Sequence, residues 1–122
     1  MPSWDVKHEA NQYFIDHGVP TTFLHISFLY ENFIDYNMGP KLDDGSYTFG
    51  WNMGDRYLPM VAAEDVGYAA ATIFGDQNYI GQYLYVASEH YTGNEIAEAF
   101  SNAFNIDAKF EDYSDESYRK LE

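Results

Sequence analysis

The chain contains no cysteine. Disulfide frameworks, zinc–cysteine sites and thiol catalysis are therefore excluded. Basic residues are scarce: six Lys and Arg stand against twenty Asp and Glu, a formal net charge of -14. Nucleic-acid binding needs clustered Lys and Arg to neutralise phosphates, and attachment to an anionic membrane surface needs the same. Neither class fits this balance. No apolar run approaches the ~20 residues that a bilayer span requires. The opening residues, Met-Pro-Ser-Trp-Asp-Val-Lys, carry no signal-peptide core, and no Asn-x-Ser/Thr sequon occurs. These absences lead to the expectation of a soluble, cytoplasmic protein. The nine glycines form neither Gly-x-Gly-x-x-Gly nor a P-loop, so a pyrophosphate cannot be cradled here by the usual glycine turn. His-Glu-x-x-His, EF-hand and Gly-x-Ser-x-Gly patterns are also missing.

What is present suits one small folded domain of 122 residues, long enough to bury a real core. Hydrophobic residues make up 46% and aromatics 19%, far from the composition of a disordered chain. The acidity is spread out. Residues 1–61 hold eight acids against three bases, and residues 62–122 hold twelve against three. That spread fits a solvated surface that aids solubility, with a docking face for a basic partner as the alternative. No internal repeat interrupts the chain.

Apolar spacing predicts a helix from Trp4 to His17, with Val6, Ala10, Tyr13 and Phe14 as its stripe and Gly18 closing it in a left-handed conformation. Thr21–Phe28 reads as a strand apolar on both faces, Phe23 on one and Leu24 with Ile26 on the other. Such strands belong to parallel sheets covered on both sides. A short helix or ordered loop over Tyr30–Tyr36 and a loop over Asn37–Gly45 follow. Strands are expected at Ser46–Trp51 and Arg56–Val61, with Asn52-Met53-Gly54-Asp55 as the hairpin turn between them. A helix over Ala63–Phe74 shows Val66, Ala69, Ala70 and Ile73 on one stripe. After a strand at Tyr83–Ala87, Thr92 and Glu95 form a capping box opening a helix with Ile96, Phe100 and Phe104. Ala108–Asp112 reads as a last strand, and Ser114 caps a final helix holding Tyr118 and Leu121. The alternation gives an α/β fold.

No pair among His8, His17, His25 and His90 has metal-ligand spacing, so no metal site is expected. His25 is expected as a hydrogen-bonded core histidine, and Asp43-Asp44 as turn chemistry. Tyr30-Glu31-Asn32-Phe33 directly follows the buried strand, where ligands bind in open α/β sheets. On position alone this segment serves equally as a binding turn or as a plain one, with Asn32 capping it and Glu31 solvated. Lys7, on position alone, is an ordinary surface lysine.

These segments resemble the NmrA-like family, relatives of the atypical short-chain dehydrogenase/reductases. The likeness is carried by Pro2 to Glu9, by Gly18-Val19-Pro20-Thr21-Thr22 with its strand and Tyr30-Glu31-Asn32-Phe33, by Asp44-Gly45-Ser46-Tyr47, by Leu58-Pro59-Met60-Val61 with Glu64-Asp65-Val66-Gly67, and by Tyr79-Ile80-Gly81-Gln82 with Thr92 to Ala97. It covers nearly the whole chain but only about half of the family's usual length.

The resemblance implies a partial Rossmann-like, NmrA-like α/β fold. The chain is then a single partial domain over residues 1–122, the C-terminal substrate-lobe half, with a β-hairpin and about four helices. It further implies NADP as cofactor, bound weakly or not at all by this chain alone. Lys7 would lie near the nicotinamide and ribose. Leu29, Tyr30, Glu31 and Asn32 would close over the nicotinamide end. Where the wider superfamily has a tyrosine four residues before the lysine, this sequence has Ser3, and no catalytic residue is assigned. The implied function is the substrate-lobe part of an NAD(P)-binding oxidoreductase acting on a small electrophile such as a quinone. The alternatives are a non-catalytic NAD(P) redox sensor that regulates a protein partner, and an inactive truncated remnant. In the family, further strands lie beside Thr21–Phe28; without them that edge is left open, which leads to the expectation of a homodimer through it or of a loosely packed monomer.

Overall fold

The structure, a computed structural model, describes residues 2–43 and 45–119. Five helices and eight short strands are distributed over two compact units. The first unit combines Met1–Ile26 with Glu64–Val86, and the second combines Ser27–Ala63 with Ala87–Glu122. No helix among the described residues is long and apolar enough to cross a membrane.

In the first unit, helix α1 spans Pro2–Asp16 and is followed by Gly18 at φ +65°, the left-handed closure that its missing Cβ permits. Strand β1, Phe23–Ile26, lies in a two-stranded parallel sheet with Tyr83–Val86. Phe23 and Tyr83 are register partners whose rings stack at 4.6 Å. The helix that begins at Ala63 and ends at Phe74 keeps the expected stripe: Val66, Ala69, Ala70 and Ile73 are half-buried and the intervening positions are exposed. The stripe expected on α1 has a different outcome. Val6, Tyr13 and Phe14 are all exposed.

The second unit holds most of the core. Strand β2, Phe28–Leu29, pairs in parallel with Leu58–Val61, which pairs antiparallel with Glu89–Tyr91. A separate sheet joins Lys41–Asp43 antiparallel to Ser46–Trp51, and Ser46–Trp51 in parallel to Ala108–Asp112. In chain order these strands are β3 (Lys41–Asp43), β4 (Ser46–Trp51), β5 (Leu58–Val61), β6 (Tyr83–Val86), β7 (Glu89–Tyr91) and β8 (Ala108–Asp112). The helices are α2 (Asn32–Asp35), α3 (Ala63–Phe74), α4 (Gly93–Phe104) and α5 (Asp115–Arg119). Met60 and Val61 are 1% and 0% exposed, and Phe49, Ile96 and Ala97 are buried with them. Burying side chains the size of Phe49, Met60, Val61 and Ile96 stabilises by about 1.5–3 kcal/mol each. Trp51 ties the aromatics together, with ring centroids 5.4 Å from Phe28, 5.9 Å from Phe33 and 5.4 Å from Phe49.

Three expectations require correction. Thr21–Phe28 is not one strand. The ladder to β6 ends at Ile26, Ser27 pairs with neither ladder, and Phe28 joins β5. The hairpin is displaced by one strand. β4 and β5 do not pair, because β4 already has β3 on one side and β8 on the other. The hairpin joins β3 to β4 across Gly45, at φ +87°, so the expected loop over Asn37–Gly45 contains a strand; Asp44 lies outside the described residues. The turn at Asn52–Asp55 is anchored to the end of β8 instead: the Asp112 carboxylate accepts from the Met53 and Gly54 N–H at 3.1 and 2.7 Å, and the Asn52 amide donates to Asp115.

The capping box at α4 is complete, with Thr92 N–H donating to the Glu95 carboxylate at 2.7 Å and Glu95 N–H donating to Thr92 Oγ1 at 3.3 Å. Ser114 Oγ accepts from Ser117 N–H at 3.2 Å to start α5; Leu121 lies outside the described residues.

Candidate functional site

The turn after β2 is built by backbone hydrogen bonding. Leu29 is the last residue of β2, opposite Val61. Tyr30 N–H donates to the Val61 carbonyl at 3.0 Å, carrying the ladder one residue further. The chain then curls into α2. Phe33 N–H donates to the Tyr30 carbonyl at 3.1 Å, and Ile34 and Asp35 N–H donate to the Glu31 carbonyl at 2.9 and 2.8 Å. The order strand, turn, short helix follows from the sequence: β-favouring Phe28-Leu29, then Asn32 onwards with no β-branched pair.

Glu31 is not simply solvated. Both oxygens of its carboxylate accept from Ala63 N–H, at 3.0 and 3.1 Å. Ala63 opens α3, so a carboxylate satisfies an orphan donor at the positive end of a helix dipole. The Asn32 side chain makes no hydrogen bond among the described residues, so it does not cap α2; its carbonyl accepts from Tyr36 N–H at 3.2 Å. Of the expected site residues, Leu29, Tyr30, Glu31 and Asn32 therefore form one continuous turn in the second unit. Lys7 belongs to the first unit, in α1, and its side chain lies outside the described residues, as does that of Ser3.

His25 departs from expectation. It is half-buried, flanked by Tyr83 at 5.7 Å and Tyr85 at 4.9 Å, and makes no hydrogen bond among the described residues. No group of acidic or histidine side chains suited to a metal ion occurs among the described residues.

Two features escaped the sequence. One is an apolar cavity of about 270 Å³ that begins at Tyr30 and Phe33 and continues over Met60 and Tyr91 to the α4 stripe of Ile96, Ala99, Phe100, Ala103 and Phe104. None of its lining residues is charged. The other is Ser27, whose Oγ is the one buried side-chain polar atom without a hydrogen-bond partner among the described residues. The signal for Ser27 was present as a lone hydroxyl at the end of the apolar run Phe-Leu-His-Ile-Ser-Phe.

Comparison with known proteins gives this geometry a context. A family model described as the NmrA-like family matches residues 1–121. Among solved structures, NmrA, a negative transcriptional regulator, in complex with NAD is 25% identical, with a TM-score of 0.65 over 78% of this chain and 32% of its own. The NADP complex of NmrA gives 26%, 0.65, 79% and 32%. A nucleoside-diphosphate-sugar epimerase from Staphylococcus aureus, at 17% identity, shares the fold with a TM-score of 0.73 over 93% of this chain and 40% of its own. The matched part thus spans about a third of the NmrA chain.

Proposed function

Because this chain belongs to the NmrA-like family, matched over residues 1–121, we propose that it is the nicotinamide-facing part of an NAD(P)-binding regulatory protein. In this reading the nucleotide state is passed to a protein partner rather than used in turnover. The observation that carries it is the 25–26% identity to NmrA, a negative transcriptional regulator crystallised with NAD and with NADP. Cytoplasmic residence belongs to the same proposal.

The residues of the turn suit the neutral end of the cofactor. Asn32 keeps its amide unbonded among the described residues, and Ser27 keeps a buried hydroxyl without a partner. Glu31, its carboxylate held at Ala63, contributes through its backbone, as do Leu29 and Tyr30. Lys7 takes the ribose. The pyrophosphate end has no glycine turn among these residues to receive it.

A second reading, an oxidoreductase acting on a flat electrophile such as a quinone, is favoured by the uncharged, aromatic cavity that starts at Tyr30. Bound NADPH would supply the hydride. The chain's own part would be to exclude water and hold a planar ring.

Calorimetric titration tests the cofactor assignment. This chain alone should bind NADPH more weakly than a dissociation constant of about 10 μM, near -7 kcal/mol, because the pyrophosphate turn is missing. Tighter binding would refute the division of labour proposed here. Following NADPH absorbance with 2-methyl-1,4-naphthoquinone, in the protein that carries this chain, separates the two readings. Sustained oxidation favours the enzyme, and binding without oxidation favours the regulator.

A further inference from the structure

We propose that the apolar groove along α4 docks a basic amphipathic helix of another protein. The inference rests on the regulatory reading above and names the chemistry of the partner which that reading requires. Every residue lining the groove belongs to the second unit, so its walls stand in one compact body. From Ile96 to Phe104 it follows α4 for about two turns, ~12 Å. Ala99 and Ala103 are exposed and lie one turn apart. Their short side chains let a second helix approach α4 closely. The large rings beside them stay open to it. Phe33 lies 5.1 Å from Phe100, and Phe104, stacked on Phe100 at 5.9 Å, is 66% exposed. Exposed apolar surface of this kind marks an interaction site, and a channel between helices takes apolar anchors at i, i+3 or i+4, and i+7.

Backbone chemistry and charge narrow the occupant. An extended peptide would bring N–H and C=O groups that an apolar lining cannot pair, whereas a helix pairs its own. The four elements that line the groove, α2, β5, β7 and α4, carry no Lys or Arg. They do carry Asp35, Glu89, Glu95 and Glu98, all exposed. A partner with Lys or Arg flanking its apolar stripe therefore finds complementary charge beside the groove. A second copy of this chain does not: it would bring a further net charge of -14, with only six basic residues to offset it.

The test uses a fluorescent peptide of about 15 residues, with Leu on one helical stripe and Lys elsewhere, and a twin with Glu in place of every Lys. Each is titrated into the isotope-labelled full chain, read by anisotropy and by the amide resonances of Ala99 to Phe104. The Lys peptide should bind saturably, shift those resonances and bind at least about tenfold tighter than its twin. Ala103→Gln, which fills the channel without changing the charge, should weaken it about tenfold or more, and Phe104→Ala should weaken it too. Phe74→Ala, at an apolar residue just as open but in the first unit, should leave binding unchanged. Absent binding, equal binding of the Glu twin, or a Lys peptide indifferent to Ala103→Gln overturns the proposal. So do shifts at Ala99 to Phe104 that grow with protein concentration alone, which would seat a second copy there. A response to 2-methyl-1,4-naphthoquinone but not to the peptide makes the groove a small-molecule site and also overturns it. Peptide docking in a protein that binds no NADPH keeps the proposal and sinks the regulatory reading; NADPH binding without docking does the reverse.

Discussion

The two units are built from similar residues but bury them very differently. In the second, Phe49, Met60, Val61, Ile96, Ala97 and Ala108 are buried, and an aromatic cluster centred on Trp51 closes around them. In the first, Phe23 is the only buried large side chain among the described residues, and α3 buries none of its residues fully. Phe74 is 91% exposed and Tyr85 is 78% exposed. The sheets differ in the same way. The second unit has two three-stranded sheets, whereas β1 and β6 form a parallel pair with no further strand beside it among the described residues. Parallel strands are stable when both faces are covered, and two strands alone are marginal. Hydrophobic content therefore does not predict a core; the number of layers that can close over it does.

The largest effect should come from Met60→Ala. Met60 is 1% exposed and lies at the centre of the second unit, so truncation should cost about 2–5 kcal/mol. Urea denaturation read by Trp51 fluorescence in a Trp4→Phe background measures it. A cost under about 1 kcal/mol would mean that the second unit is no better packed than the first.

Hydrogen exchange comes next. Amides of β1 and β6 should exchange at least about 100-fold faster than those of β4 and β5, because local opening of a thin sheet is easier. Equal protection would erase the contrast. The open edge of β1 also offers unpaired N–H and C=O groups to a second copy. We expect concentration-dependent association in light scattering, reduced by Ile26→Lys; strict monomer behaviour at high concentration would remove that partner.

The smallest effect concerns Glu95. Hydrogen bonds from the Thr92 backbone, and then from its hydroxyl, hold the Glu95 carboxyl below its ordinary value of 4.5. A carboxylate depressed in the folded state adds stability that is complete above its unfolded pKa and is lost as pH falls through the lower folded value. Unfolding profiles of wild type and Glu95→Gln should therefore differ above about pH 5 and converge in the acid range. Profiles that stay parallel down to acid would show that the capping box does not depend on ionisation. Because Glu95 is exposed, the difference should be modest.

Much of the helical structure was legible in the sequence. The α3 stripe, the capping box at Thr92 and Glu95, and the left-handed Gly18 are encoded within one or two turns of chain. Sheet pairing was not. Asn52–Asp55 has local turn chemistry, but what decides its role is Asp112, 59 positions from Met53. Strand β7 is only Glu89-His90-Tyr91, too short and too polar to show a period. The candidate site divides along the same line. Leu29 to Asn32 could be placed as a turn after a strand. The capping function of Glu31 could not, because its partner Ala63 is 32 positions away.

The interleaving of the two units bears on how the molecule comes apart. Each is made of two chain segments, so residues 64–86 interrupt the second unit and residues 27–63 interrupt the first. If the first unit melts, the second carries residues 64–86 as a surface loop. If the second melts, the first must bridge its segments with residues 27–63. Loop-closure entropy grows only with the logarithm of length, about 0.6 kcal/mol per doubling, so these two penalties nearly cancel. Connectivity is therefore almost neutral about which half lets go first, and the decision falls to burial. Heat should release the thin parallel pair while the Trp51 cluster still holds its own two segments together, leaving a free N-terminal segment and a tethered loop on an intact body rather than a wholly unfolded chain.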